Sequence, residues 1–414
     1  MARNFPNFLD AYLKYADDKF VPKAFDTWSC LSIIAAALER KVWLPWSDSF
    51  SFYPNIYVLL VAKPGAGKSV SLNKAVEILR LANGKTASLN IMPNQATEAK
   101  FIELLGHGKP FMYKTTTTMQ SAAYYWASEA SNSLRNIFGD FIACLTDFYD
   151  CPNLWQRATK KDGRPITLRN VCVNLLAGST FDYLGKLVSD DNIMGGFASR
   201  PIYVLHRDED VIEQEWQLGG YTKDQALYRE SYRQKLVEDL IDINTLVGPV
   251  TAEPEFAEAW KDWRHKFERK RRKFKSEKLQ SLLVRTNTNM LKVCMLMSVA
   301  ESNDRILKIE HWERAHFLVD RIASDTPSIF AEAKLQRVAS DVSAGQLAII
   351  KEVRNSPGIT KSKLIARMIS AGLGPREATS LLESMIKAEQ GVRVSGVGNG
   401  DMVLKPVGDT DDYL

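Results

Sequence analysis

The chain has 414 residues, 45 % apolar and 25 % charged, with a net charge of +5 at pH 7. That length carries two or three domains around a large core. The five cysteines (Cys30, Cys144, Cys151, Cys172 and Cys294) have no paired spacing, which excludes a zinc or disulfide framework and fits a reducing cytoplasm. No apolar run reaches a membrane span, and the N-terminus lacks a secretory apolar core, so no membrane partner is expected.

Residues 5–40 read as helical: Phe8, Leu9, Tyr12, Leu13 and Tyr15 recur at helical spacing, and 28–38 is strongly apolar. Residues 42–46 read as a short strand. Residues 55–61 form a buried strand leading into Ala62, Lys63, Pro64, Gly65, Ala66, Gly67, Lys68 and Ser69, and 69–81 follow as a helix. Further strands are expected at 87–92, 121–127, 170–177 and 201–205, with helices at 97–105, 134–148 and from Phe181. Strands alternating with helices imply a three-layer α/β core with a mostly parallel sheet. Residues 223–339 read as all helical. Within them, 261–278 carry ten Lys or Arg against three Asp or Glu, net +7, which leaves the rest of the chain at −2. This run either meets phosphate backbones or is a solvated helix face. Helices at 346–353, 361–370 and 376–388, then a hairpin of 391–397 and 402–405 around Gly398, Asn399 and Gly400, suggest a winged helix.

A strand, a glycine loop ending in Gly67, Lys68 and Ser69, and a helix are the context of a phosphate-binding P-loop. Backbone N–H groups of Pro64-to-Val70 residues Gly65, Ala66, Gly67, Lys68, Ser69 and Val70 would cradle phosphates at a helix N-terminus. Lys68 would reach the β- and γ-phosphates of ATP, and the Ser69 hydroxyl would hold Mg²⁺. Ala62 stands where the consensus has its first glycine.

The strand at 121–127 ends in Ser128 and Glu129. Glu129 is the expected base for the attacking water, and Ser128 stands where a metal-assisting Asp is usual. Asp147 is the rival acid. The strand before Gly178 ends in Ser179 and Thr180, placed like the sensor-1 residue of AAA+ enzymes, between the P-loop and Glu129; a helix N-cap is the alternative. Residues 155–169 read as a hairpin with Lys160, Lys161 and Arg164 at an Asp162-Gly163 tip. A hairpin just before sensor 1 lines the pore of superfamily 3 and minichromosome-maintenance helicases, where its cations grip a DNA strand. Arg200 follows Gly195, Gly196, Phe197, Ala198 and Ser199; it is an arginine finger for a neighbouring subunit, or a structural arginine paired with a core carboxylate. Arg285 is a weaker second-sensor candidate.

Pro54, Asn55, Ile56 and Tyr57 leading to the glycine loop, the strand through Asn174 to the Gly178-Ser179-Thr180 end, and Gly196 through Arg200 together resemble a family of phage- and plasmid-borne P-loop proteins, often fused or adjacent to primases. The likeness covers roughly residues 5 to 320. It implies a replication-associated, AAA+-like or superfamily 3-like helicase; the family's usual Asp-Glu is Ser128-Glu129 here.

The expected organisation is an N-terminal helical region (1–45), an ATPase core (46–220), a helical lid with the basic segment (221–340), a winged-helix domain (344–407) and an acidic tail (408–414). The leading expectation is an ATP-dependent DNA translocase, a hexameric replicative helicase of a phage or other mobile element. It would use ATP and Mg²⁺, hold single-stranded DNA in its pore, and work beside a primase or other replication proteins. Lys361, Lys363, Arg367, Arg376, Lys387 and Arg393 suit the winged helix to duplex DNA, and a protein dock is the alternative. The other reading of the whole chain is an ATP-switched initiator or helicase loader without unwinding; a small-molecule kinase is a distant third.

Overall fold

The computed structural model describes residues 3–17, 21–93, 97–128, 140–158, 165–181, 183–184, 196–206, 222–341, 344–388, 392–398 and 400–407. Its centre is a five-stranded sheet. In chain order the described elements up to it are helices α1 (Phe8–Ala16) and α2 (Lys23–Leu38), strands β1 (Val42–Ser47), β2 (Phe50–Phe52) and β3 (Tyr57–Val61), helices α3 (Lys68–Thr86) and α4 (Glu98–Gly106), and strands β4 (Lys109–Tyr113) and β5 (Thr116–Ala127). Helix α5 (Asp140–Tyr149) and strands β6 (Leu154–Arg157), β7 (Ile166–Arg169), β8 (Val171–Ser179) and β9 (Ile202–Leu205) complete it.

The sheet order is β4-β5-β8-β3-β9, so β8 is inserted between β3 and β5. All neighbours run parallel except the β4–β5 pair. Every residue of β3 and of β8 is buried. Such unbroken burial of mostly apolar residues is what a parallel strand covered on both faces requires. Helix α2 is buried nearly all round, because it packs on β3 and β8 on one side and on α3 on the other. Asn174 ties these layers: its amide donates to Ala35 O at 3.3 Å and its oxygen accepts from Ile56 N at 3.0 Å.

The expected strand at 87–92 is reduced to one parallel bridge, Ile91 with Tyr124. The reason is competition for an edge. The hairpin partner β4 pairs with Thr116 through Gln120 of β5 and leaves only the last stretch of that edge for the chain at 90–92.

Beyond the sheet come α6 (Lys223–Asn244), β10 (Gly248–Pro249), β11 (Thr251–Ala252), α7 (Pro254–Arg271), α8 (Glu277–Leu283), α9 (Thr286–Glu301), β12 (Ile306–Leu307) and α10 (Ile309–Asp341). One apolar core runs from Phe8 to Ala333. The segments expected as an N-terminal region and a helical lid therefore share their core with the sheet.

A second, separate apolar core runs from Ile349 to Leu404. It joins α11 (Ala344–Asn355), α12 (Lys361–Ser370), α13 (Pro375–Lys387) and the hairpin of β13 (Val392–Gly398) with β14 (Asp401–Pro406). Gly358, at φ 86°, lets the chain turn between the first two helices, where its N–H donates to Leu404 O at 2.9 Å. Thr360 adds a bridge to Val403 of β14.

Candidate functional site

The C-terminal ends of three parallel strands meet. Val61 of β3 pairs with Ser179 of β8, and Ala127 of β5 pairs with Ala177. Open α/β sheets bind ligands at this end of their strands. The loop 62–67 leaves β3 here, fastened by Ala62 N donating to Ser179 O at 3.2 Å. Gly65 and Gly67 have φ of 87° and 76°, a region that only glycine enters cheaply. A Cβ on Gly65 would meet nothing within 4 Å, so the space above the loop is open. Gly67 is the N-cap of α3. The first N–H groups of that helix have no intrahelical acceptor and carry its positive dipole end.

Lys68 is buried, and its ammonium donates to Ala62 O at 2.7 Å and Lys63 O at 2.9 Å. Those carbonyls hold the cation over its own loop. Ser69, Pro64 and Gly65 are exposed, and Ala66 and Val70 are half-buried. The donor set of ammonium, hydroxyl and helix N–H groups around open space fits a nucleotide phosphate. The Ser69 and Ser128 side chains are both exposed. Among the described residues, no group of three or more His, Cys, Asp or Glu could hold a metal by itself.

Glu129 lies outside the described residues. Asp147, its rival, sits on α5 rather than at a strand tip, and its carboxylate accepts from Trp155 Nε1 at 3.1 Å. Ser179 is fully buried, and its hydroxyl donates to Thr180 O at 3.3 Å. Thr180 caps the turn that follows: its side chain accepts from Tyr183 N at 3.4 Å and its carbonyl from Leu184 N at 3.0 Å. The hairpin arms exist as β6 and β7, paired from Leu154 with Arg169 to Arg157 with Ile166. Its tip, with Lys160, Lys161 and Arg164, lies outside the described residues.

Arg200 is placed at the other end of the sheet, just before β9. Its guanidinium donates to Gly196 O at 2.6 Å and to Asp150 Oδ2 at 2.6 Å, and it is 8 % exposed. One reading of Arg200 expects a pair with a core carboxylate; the pair exists, but its carboxylate, Asp150, is exposed rather than in the core. Arg285 donates to Asp150 Oδ1 at 2.6 Å. Burial pushes the Asp150 carboxyl up, but the two guanidinium groups outweigh it and leave it below the usual carboxylate range. Lys292 lies 3.9 Å from the Tyr149 ring and donates to Asn55 Oδ1 at 2.8 Å. Burial lowers its ammonium to about 8. Three cations thus surround Tyr149, since Arg200 and Arg285 lie 5.9 and 5.7 Å from its ring.

Sequence reasoning missed Asp150, Lys292 and the packing role of Gly178. A Cβ on Gly178 would lie 2.5 Å from Ser128 O and 3.7 Å from Lys68 Cβ. The small residue brings the end of β5 against the glycine loop. The one signal was a glycine inside a buried strand pattern.

Of the six cations expected to serve DNA in the C-terminal unit, Lys361 bonds Glu383 at 2.8 Å and Arg367 pairs with Glu352. No helix among the described residues is long and apolar enough to cross a membrane. No protein-family model matches this sequence, and no curated protein is detectably similar to it.

Proposed function

We propose that the chain is a P-loop nucleoside-triphosphatase that works on DNA: an ATP-dependent translocase with an AAA+-like core and a C-terminal winged helix. The observation that carries this is the glycine loop at the C-terminal end of β3, opening α3 beneath free space, with Lys68 held at its rim. The order β5-β8-β3 supports it, because β8 brings Ser179 between the loop and the end of β5.

In this reading Lys68 leaves its two carbonyls and turns to the phosphates, and the N–H groups of residues 65–70 hold them in place. Mg²⁺ with ATP supplies charge neutralisation on the transferred phosphoryl group. Ser69 and Ser128 orient the metal's surroundings. Glu129, two residues beyond the β5 end, takes the proton of the attacking water. Ser179 positions that water or the γ-phosphate, while Thr180 holds the turn. Arg200 of one copy serves the loop of the next, which makes turnover depend on assembly into a ring, a hexamer in this reading. The hairpin carrying Lys160, Lys161 and Arg164 contacts single-stranded DNA. The winged helix meets duplex DNA through Lys363, Arg376, Lys387 and Arg393, or docks a primase or another replication protein.

The test is ATP hydrolysis by the full chain with and without single-stranded DNA, beside Lys68→Ala. The expected outcome is DNA-stimulated turnover that Lys68→Ala lowers by about a hundredfold or more. Lys68→Ala turnover equal to wild type sinks the nucleotide site itself. Hydrolysis indifferent to DNA favours the second reading, an ATP-switched initiator or loader. Ser128 in place of an acid is the observation behind that alternative, since a hydroxyl holds a metal-bound water less strongly than a carboxylate.

A further inference from the structure

We propose that the tip of the β1–β2 hairpin and the middle of α7 form a second surface for single-stranded nucleic acid, independent of the site above. It lies at the opposite end of the sheet. Phe52 ends β2 shortly before β3 begins at Tyr57, whereas the glycine loop leaves the far end of β3 at Val61. Trp43 of β1 meets Tyr113 at 4.9 Å, beside the start of β5, which confirms that end.

The hairpin is built to present rings. Pro45 pairs with Ser51 and Ser47 with Phe50, so Trp46 is the extra residue of a β-bulge. A bulge re-aims its side chain out of the ladder. Trp46 is 46 % exposed and Phe50 48 %, a large apolar area to leave in water. Trp46 lies 5.2 Å from Trp260 of α7 at an interplanar angle of 80°, and Phe50 lies 4.9 Å from Phe52 at 87°. An edge-on pair covers at most one face of one of its two rings, so ring faces remain open.

The rings stand beside cations. The Arg264 guanidinium lies 5.2 Å from the Trp260 ring, and Lys261 is exposed one residue on from Trp260. Among the described residues, the ion pairs of this helix are those of Glu268 with Arg271 and Arg272, so Lys261 and Arg264 remain for an incoming anion. Asp262, two residues on from Trp260, points near the opposite side of the helix. Exposed rings beside two cations that hold no ion pair among the described residues match a chain of bases and phosphates better than an apolar protein face, with Asp48 the one acid between the two rings in the hairpin. Unstacked bases lie on rings of any sequence, and the backbone meets the cations. A duplex keeps its bases stacked on one another and offers only the second contact.

The experiment is fluorescence anisotropy of the full chain with a labelled thymidine oligonucleotide, its uridine counterpart and a matched duplex, without ATP. Every protein carries Lys160→Ala and Lys161→Ala, which silences the hairpin of the proposed translocation path. Trp46→Ala with Phe50→Ala, and Lys261→Ala with Arg264→Ala, should each weaken single-strand binding by about tenfold or more. Trp46→Tyr, which keeps a flat ring, should bind within a few-fold of the parent, and the duplex should bind more weakly than the strand. The ratio of thymidine to uridine affinities tells the DNA form from the RNA form, the 2′-hydroxyl and the C5 methyl together. Unchanged affinity in the ring variants overturns the proposal. So does equal binding of strand and duplex, or ring variants that alter only particle size, which would make the rings a contact between copies. Ring variants must melt with the parent; if the alanine pair does not, the Trp46→Tyr comparison with Trp46→Ser carries the same decision.

Discussion

At Gly178 the limit is space. Its φ is not in the left-handed region, and a Cβ there would press on the Ser128 carbonyl, a backbone atom that cannot swing aside. Gly178→Ala is expected to lower stability by about 1–3 kcal/mol, the usual cost of overpacking a fixed site. Because the strain falls on the residue before Glu129, ATP turnover should fall further than nucleotide affinity. Urea unfolding and nucleotide titration check this, and an unchanged unfolding midpoint would show that the strands simply part. Lys292 makes a prediction of opposite kind. Burial lowers its folded-state value to about 8, against about 10.4 in an unfolded chain. Between those values the unfolded chain keeps a proton that the folded chain has lost, so this residue's contribution to stability rises with pH. Tyrosines and cysteines titrate nearby, so the measurement is a difference: wild type should gain stability over Lys292→Met as pH goes from about 8 to about 10. A difference flat across that range refutes the buried, depressed lysine.

At the scale of elements, the parts that were legible are those whose signals are local. The strand at 57–61, its glycine loop and α3 follow from an apolar run, two glycines at positive φ and a helical period. The arms of the hairpin expected at 155–169 follow from the Asp162-Gly163 turn signal. What was not legible depended on competition or on distance. β4 lacked a turn signal, because Lys114 at φ 53° makes the turn where Gly or Asn is usual. The strand expected at 87–92 failed for the same cause, its edge being occupied. The ion pairs of Asp150 join residues far apart in the chain, and no period or spacing predicts them. The C-terminal unit was legible as three helices and a hairpin, and among the described residues its apolar core is separate from the first. A fragment of residues 344–407 should therefore fold alone, with a cooperative thermal transition by circular dichroism, at the modest stability of a roughly 60-residue domain. Leu364 is fully buried there, and Leu364→Ala, at about 2–5 kcal/mol, should unfold most of the fragment. A fragment with no cooperative melting would show that the unit borrows stability from the rest of the chain.

For the whole molecule, the position of Arg200 decides how many chains make one site. Arg200 precedes β9, β9 runs parallel to β3, and the glycine loop follows the last residue of β3. At about 3.3 Å per residue, the strand separates arginine and loop by roughly 16 Å, beyond the reach of a side chain already bound to Asp150. Within one chain Arg200 is therefore structural. If it also serves catalysis, it serves another copy, exchanging Asp150 for that copy's phosphate while Arg285 retains the carboxylate. Two inactive variants then complement each other. A Lys68→Ala subunit keeps Arg200, and an Arg200→Ala subunit keeps an intact loop. Mixed in equal amounts and reassembled at random in a closed ring, they should build a working site at about a quarter of the boundaries and recover about that share of wild-type turnover. Each variant alone should stay inactive at any concentration. Mixed rings that form by size yet remain inactive would confine Arg200 to its pair with Asp150, and the loss of activity in Arg200→Ala would then come with a lower melting temperature, because the buried Arg200 side chain and its bonds to Gly196 and Asp150 would be lost.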